Sequence, residues 1–349
     1  MWMDSDISSM RQALLDWYDQ KGRALPWRVR PEDRANGVLP NPYAVWLSEI
    51  MLQQTTVPHG TPYWYKFMSL YPTVTDLAAA PLDDVLTHWA GLGYYARARN
   101  LHKCANVIVS EHAGEFPDTY KELLKLPGIG DYTASTIAAI CFDEATTIVD
   151  GNVERVIARV HRLDSPLPKA KAEIKALASV LSDPDRPGDY GQAVMDLGAT
   201  ICTPRSPSCL LCPWNVWCQA YREGDQTDYP KKTPKKPKPV RYGQAFVFLN
   251  DNRVWLRRRP EQGLLGGMME VPGSDWVNKP VSEKPDEESW NQTASPVRHV
   301  FTHFELVLDV FKTEIQNSPS EEGRWVPIDR LGEEALPSLF KKVLKAAGL

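Results

Sequence analysis

Residues 123–142 read LLKLPGIGDYTASTIAAICF. An apolar stretch runs into Leu126-Pro127-Gly128-Ile129-Gly130, and Asp131-Tyr132-Thr133 opens a second apolar helix. A helix, a tight Gly-x-Gly turn and another helix make a helix–hairpin–helix. Glycine carries no Cβ, so Gly128 and Gly130 let the backbone come close to a phosphate, and the N–H groups at the new helix start can hold it. The same pattern also fits a plain turn between two helices, so its neighbours have to decide.

The chain has 349 residues, which at ~150 residues per domain suggests two domains. Hydrophobic residues make up 43% and charged residues 24%, an ordinary globular balance in which each domain can bury a core without disulfides. No apolar run reaches the ~18 residues of a membrane span. The opening MWMDSDISSMRQALLDWYDQ lacks the basic and then apolar pattern of a secretory signal. A soluble, cytoplasmic protein that acts as a monomer away from membranes is expected. Net charge is −4, but residues 229–241 (YPKKTPKKPKPVR) hold six basic residues, no acidic ones and four prolines. This segment reads as a semi-rigid linker, either merely solvated or touching a DNA backbone. Removing its six cations leaves 34 basic against 44 acidic residues, so any DNA contact must come from local features.

Before the linker the periodicity is helical. In 43–57, Trp46, Leu47, Ile50 and Met51 recur at helical spacing, as do Val153, Val156, Ile157 and Val160 further on. No convincing strand precedes residue 240. After the linker the period becomes two. Residues 244–249 and 253–256 flank Asn250-Asp251-Asn252 as a hairpin, 305–312 put Leu306, Leu308 and Val310 on one face, and an amphipathic helix starts near Pro337. The expected organisation is a mostly α domain over 1–228, a linker over 229–241, and an α+β domain over 242–349.

Three constellations could carry chemistry. Cys202, Cys209, Cys212 and Cys218 follow C-x6-C-x2-C-x5-C. Four thiolates in a short loop suit an iron–sulfur cluster or a structural zinc; a zinc ribbon usually shows two CxxC pairs, and only one is present. Cys104 and Cys141 read as small core hydrophobes. Asp150, before the helix that begins at Val153, would ordinarily be a helix N-cap; its sharper role is an ionised carboxylate facing a developing positive charge. Glu49 has Val45, Trp46 and Leu52 as helical neighbours. It is either a boundary glutamate with its head in water or a desolvated one, whose raised pKa would make it a general acid near neutral pH. Gln53 and Gln54 follow it.

Taken in order, WLSEIMLQQT, GLGYYARARN, LPGIGDYTA, VDGNVERV and the cysteine loop resemble the adenine DNA glycosylases of the MutY family, within the endonuclease III-like superfamily. The resemblance is dense from about Leu25 to Cys218 and looser through GLLGGMMEVPG, FTHFEL and RWVPIDRL. It implies a mostly α glycosylase domain with a 4Fe–4S cluster on the four cysteines and a Nudix-like C-terminal domain. The implied partner is double-stranded DNA carrying adenine opposite 8-oxoguanine or guanine, with the adenine flipped out of the stack. Glu49 matches the acid that protonates adenine, and Asp150 the carboxylate that stabilises the sugar cation by charge or by transient bonding, a two-carboxylate logic like that of glycoside hydrolysis. Asn152 and Tyr132 match positions that hydrogen-bond in the same site. Trp27, Arg28 and Leu52 match adenine-pocket positions, and Gln54 and Tyr94 match residues that wedge into the stack. Gln192 lies where some relatives carry Glu.

Phe301-Thr302-His303 resembles an F-S-H loop that reads 8-oxoguanine, with Thr in place of Ser. The endonuclease III branch, a glycosylase and lyase acting on damaged pyrimidines, places a Lys where this chain has Tyr132, and a tyrosine cannot form a Schiff base. A nucleotide pyrophosphatase needs a carboxylate-rich helix for Mg²⁺; no such run lies between Gly273 and His299, where Glu287 and Glu288 lack partners. A DNA-scanning module without catalysis is opposed by the intact Glu49 and Asp150.

Overall fold

The computed structural model describes residues 2–234, 237–281, 290–320 and 322–349. Glu287 and Glu288, weighed above as magnesium ligands, lie outside the described residues, as do Lys235 and Lys236 of the Pro/Lys segment. Two compact units form: Met1–Trp64, Tyr71–Thr75 and Cys104–Pro234 make the first, and Tyr65–Leu70, Asp76–Lys103 and Lys235–Leu349 the second. The division differs from the sequence boundaries because part of the helical half packs with the strands. Within the second unit, Arg258 donates to Asp83 at 2.6 Å, Thr87 donates to the Glu333 carbonyl at 3.3 Å, and Arg99 donates to the Gly266 carbonyl. An amphipathic pattern says that a helix face is covered, but not by what.

The first unit is helical. Helix Pro42–Leu52 starts where the Asn41 side chain accepts from the Tyr43 and Ala44 N–H groups at 2.9 and 3.2 Å, with proline at the first helical position. It stops at Leu52, short of the expected residue 57, and a new helix, Val57–Leu70, follows. Gln54 stands between them with φ 62°, a left-handed conformation that no Gly or Pro in the sequence announces. In the hairpin, Gly128 takes φ 76°, and helix Asp131–Phe142 ends at Asp143 with φ 54°. Helix Pro187–Thr200 is buried from Pro187 through Gly198 and runs through the middle of the unit. Around it Met10, Leu14, Val156, Ile157, Leu197 and Trp214 form the core. Tyr229 joins this core at 4% exposure, and the Leu167 N–H donates to the Lys231 carbonyl at 2.8 Å. The first residues of the Pro/Lys segment are therefore docked along the first unit and are not a free spacer.

The second unit contains, among the described residues, strands β1 (Val240–Asn250), β2 (Arg253–Arg258), β3 (Met269–Glu270), β4 (Asn291–Gln292), β5 (Val297–Val300), β6 (Glu305–Glu314) and β7 (Arg324–Pro327). The sheet order is β3-β2-β1-β6-β4, with β5 also on β6 and β7 on β2. The hairpin closes with Leu249 opposite Val254. The long central pair is parallel, from Val240 opposite Glu305 to Leu249 opposite Glu314. Leu306, Leu308 and Val310 are buried against Leu339, Phe340 and Val343 of helix Ser338–Ala346. Among the described residues no helix is long and apolar enough to cross a membrane.

Candidate active site

Helix Pro42–Leu52, the hairpin's second helix and the start of helix Gly151–Val160 bring Glu49, Tyr132 and Asp150 to one cavity of about 420 Å³. Trp27, Arg28, Leu52, Gln54 and Asn152 line the same cavity. Glu49 is buried, and its Oε2 accepts from the Tyr132 hydroxyl at 2.6 Å. Burial pushes its carboxyl up to about 7; the Tyr132 hydrogen bond and the Arg28 charge pull it down, and the Asp150 charge adds to the rise. Burial and the same two carboxylates push the Tyr132 phenol well above its ordinary range, so it stays a neutral donor.

Asp150 is both a helix cap and part of the cavity wall. One carboxylate oxygen caps helix Gly151–Val160, accepting from the Asn152 and Val153 N–H groups at 2.8 and 2.7 Å. The other accepts from the Asn152 side-chain amide at 2.8 Å. Burial pushes this carboxyl upward, while those three donors and the Arg155 charge oppose the rise. Two carboxylates beside one cavity thus differ in environment: Asp150 receives three N–H bonds, Glu49 one phenolic bond. Difference of this kind lets one group be acid while the other is anion.

Sequence reading missed the supports of this site. Arg155 donates to Asn152 Oδ1 at 2.9 Å, to the Gly198 carbonyl at 2.7 Å and to the Cys202 carbonyl at 2.8 Å, fixing the amide that holds Asp150. Asp196 is fully buried and pairs with Arg23 at 2.6 Å and Arg28 at 2.8 Å, which keeps the Arg28 charge in place. A lone Asp inside the apolar run Ala193–Leu197 was the available signal. Gln192 is buried, donates to the Gly188 carbonyl at 3.2 Å and is not among the cavity's lining residues.

Gly198 makes the close approach possible. A Cβ there would lie 2.6 Å from Asn152 Cβ and 3.1 Å from its carbonyl oxygen. Alanine in mid-helix is usually an improvement on glycine. Here Gly198→Ala should instead cost about 1–3 kcal/mol through overpacking and lower Tm on the order of 5 °C. Thermal unfolding checks this, and an unchanged Tm would contradict the tight contact.

Cys202, Cys209, Cys212 and Cys218 ring a common apolar space in the first unit, together with Arg159. Arg159, 1% exposed, donates to Cys202 Sγ at 3.2 Å and ties the loop through the carbonyls of Thr203 at 2.8 Å and Pro204 at 2.9 Å. Burial pushes Cys212 up to about 12 and Cys218 up to about 11, so four thiolates here would require a shared cation. Among the described residues no group of three or more His, Cys, Asp or Glu is set to hold a metal ion. Four cysteines around one apolar space are a donor set whose chemistry fits an iron–sulfur cluster.

The remaining candidates sit elsewhere. Gly128 and Gly130 form the hairpin turn; a Cβ at Gly130 would meet nothing within 4 Å, so packing alone makes no demand for glycine. Tyr94, Phe301, Thr302 and His303 belong to the second unit, where the Tyr94 hydroxyl and Thr302 Oγ1 lie 2.7 Å apart. Tyr94 has φ 49°, so both candidate wedge residues, Gln54 and Tyr94, hold left-handed backbones. Such strain collects at functional positions.

The family described as HhH-GPD superfamily base excision DNA repair protein matches residues 47–182, and a NUDIX domain matches residues 244–346. A structure of a thermostable thymine-DNA glycosylase has TM-score 0.56 and 26% identity, covering 63% of this chain and 98% of that one. These matches define the class: a helix–hairpin–helix base-excision repair protein with an added Nudix-like domain. Adenine DNA glycosylases are 32% identical in Mus musculus (98% of this chain, 78% of the relative) and 34% identical in Buchnera aphidicola from Schizaphis graminum (96% and 97%). The chain belongs to the adenine DNA glycosylase family.

Proposed function

We propose that the protein hydrolyses the N-glycosidic bond of adenine mispaired with 8-oxoguanine or guanine in duplex DNA and leaves an abasic site. The observation that carries this reading is the Tyr132–Glu49 hydrogen bond inside a cavity that Asp150 also lines. Glu49, neutral up to about pH 7, gives its proton to the ring of the flipped adenine. The C1′–N9 bond then breaks, adenine leaves neutral, and positive charge develops on the sugar. Asp150, held by its three N–H donors, faces that charge. Water adds to C1′ and releases a proton. Among the described residues no lysine lines the cavity, and Tyr132, which does, cannot form a Schiff base with C1′. This favours a monofunctional glycosylase over the endonuclease III-like lyase. The open turn at Gly128–Gly130, ahead of a helix start, suits a DNA phosphate.

The four cysteines would hold a 4Fe–4S cluster, which supplies a structural cross-link for the loop whose Cys202 carbonyl accepts from Arg155. Single-turnover incubation with a duplex carrying one adenine opposite 8-oxoguanine tests the reading. Strand breaks at that adenine only after hot alkali are expected. Breaks without alkali would indicate a lyase, and no break with the duplex still bound would indicate a scanning module.

A further inference from the structure

We propose that Met195 is a modification site: peroxide oxidises its thioether to the sulfoxide, which takes the Tyr132 hydroxyl away from Glu49 and slows excision. The inference rests on the acid role of Glu49 proposed above and adds a means of turning that acid down. Helix Pro187–Thr200 carries Met195 to the wall of the cavity that Glu49, Tyr132 and Asp150 also line. Its Sδ lies 3.6 Å from the Tyr132 hydroxyl, which in turn lies 2.6 Å from Glu49 Oε2.

The phenol has one hydrogen and two neighbours that can accept it. A thioether sulfur accepts weakly, so the carboxyl oxygen holds the bond. Oxidation reverses the order, because a sulfoxide presents a polar oxygen where the thioether was apolar. The Tyr132 ring need not move for the exchange. Only the hydroxyl hydrogen turns about its C–O bond.

The surroundings favour reaction at this sulfur. Met10, Met51 and Met268 are fully buried and Met269 is 3% exposed. Met195 is 7% exposed, but it borders a cavity of about 420 Å³, large enough to admit peroxide. Burial pushes the Cys104 and Cys141 thiols up to about 12, which keeps them protonated and inert. A thioether has no proton to lose, so its lone pair is available at neutral pH. The sulfur lone pair attacks one peroxide oxygen, the S–O bond forms as the O–O bond breaks, and the departing oxygen leaves as water with both hydrogens. Sulfur loses two electrons and peroxide gains them.

The Tyr132 bond is one of two influences that pull the Glu49 carboxyl down, the other being the Arg28 charge. With that bond gone, burial and the Asp150 charge are opposed by Arg28 alone, and the carboxyl rises. A weaker acid protonates adenine more slowly and keeps its proton to higher pH.

The test treats the full chain with hydrogen peroxide, locates sulfoxides by peptide mass spectrometry and measures single-turnover excision across pH. Excision should fall roughly ten-fold, the scale of one hydrogen bond, in step with Met195 sulfoxide, and the alkaline limb should move up. Oxidation of Met3, 69% exposed, should have no such effect. Met195→Leu fills similar space without sulfur, and under the same treatment it should keep its own untreated rate and limb. Tyr132→Phe lacks the shared hydrogen, so oxidation of Met195 should not move its limb. The proposal is overturned if Met195 stays reduced while Met3 is fully oxidised, if Met195→Leu loses as much as wild type, or if the wild-type limb does not move. Untreated wild-type protein that excises no adenine would instead sink the functional reading itself.

Discussion

Replacing Glu49 with glutamine is expected to lower single-turnover excision of adenine by roughly three orders of magnitude while the mispaired duplex remains bound. Glutamine fills the same space and can still accept from Tyr132, whose hydroxyl reaches Glu49 at 2.6 Å. Only the transferable proton is lost, so a rate within ten-fold of wild type would remove Glu49 from the acid role. The pH profile gives the same assignment from another side. The acid must be protonated, so excision should decline as pH rises through about 7.

The substitution should also stabilise the protein at alkaline pH. Burial lifts the Glu49 carboxyl from 4.5 in the unfolded chain to about 7 in the fold, so the native state binds the extra proton. The cost of the buried charge is absent below pH 4.5, grows from there to about 7, and is complete above that range. A shift of that size corresponds to about 3 kcal/mol. Glu49→Gln should therefore raise Tm at pH 8 and leave it nearly unchanged at pH 4.5. An equal Tm change at both pH values would mean that the native carboxyl is not shifted.

Asp150→Asn carries the second large effect. Asparagine is as good a helix cap as aspartate, so the start of helix Gly151–Val160 should survive. The negative charge facing the sugar does not survive. Excision should fall by roughly a hundred- to a thousand-fold, the scale for removing one preorganised electrostatic partner. A further conflict arises at the second oxygen, which now accepts from the Asn152 amide. An amide there would set donor against donor, and Asn152 cannot turn without losing its bond from Arg155. Losing the Asp150 charge should also move the alkaline limb of the pH profile down, because that charge helps to raise Glu49. Near-normal excision by Asp150→Asn would remove the sugar-cation role.

Several features were legible because they are local. Gly128 and Gly130 between two apolar stretches mark the hairpin, and the period of two around Asn250–Asn252 marks the strands that form. The helix near Pro337 begins at Ser338. The spacing of the four cysteines reads directly as a ligand loop. Glu49 and Asp150 were readable as alternatives: apolar neighbours left Glu49 between boundary and interior, and a helix start left Asp150 between cap and charge. Neither choice can be made from a helix taken alone, because desolvation is the work of other segments.

Other features were invisible. The break at Gln54 follows no Gly or Pro, so the helical pattern ran on through it. The placement of 76–103 with the strands depends on which apolar face meets which. The roles of Arg155, Asp196 and Gly198 exist only once helix Pro187–Thr200 crosses the start of helix Gly151–Val160, where a Cβ on Gly198 would stand 2.6 Å from Asn152. The sequence by itself determined the two kinds of domain, the hairpin and the four-cysteine loop, since these are written in local periodicity and spacing, and it carried the motifs by which the chain resembles its family. Tertiary structure alone decided that Glu49 is buried with a phenol as its partner, that Asp150 is both cap and cavity wall, and that the Tyr94 and Thr302 hydroxyls meet. Those facts depend on desolvation and on contacts between residues up to 208 positions apart, which no local pattern encodes.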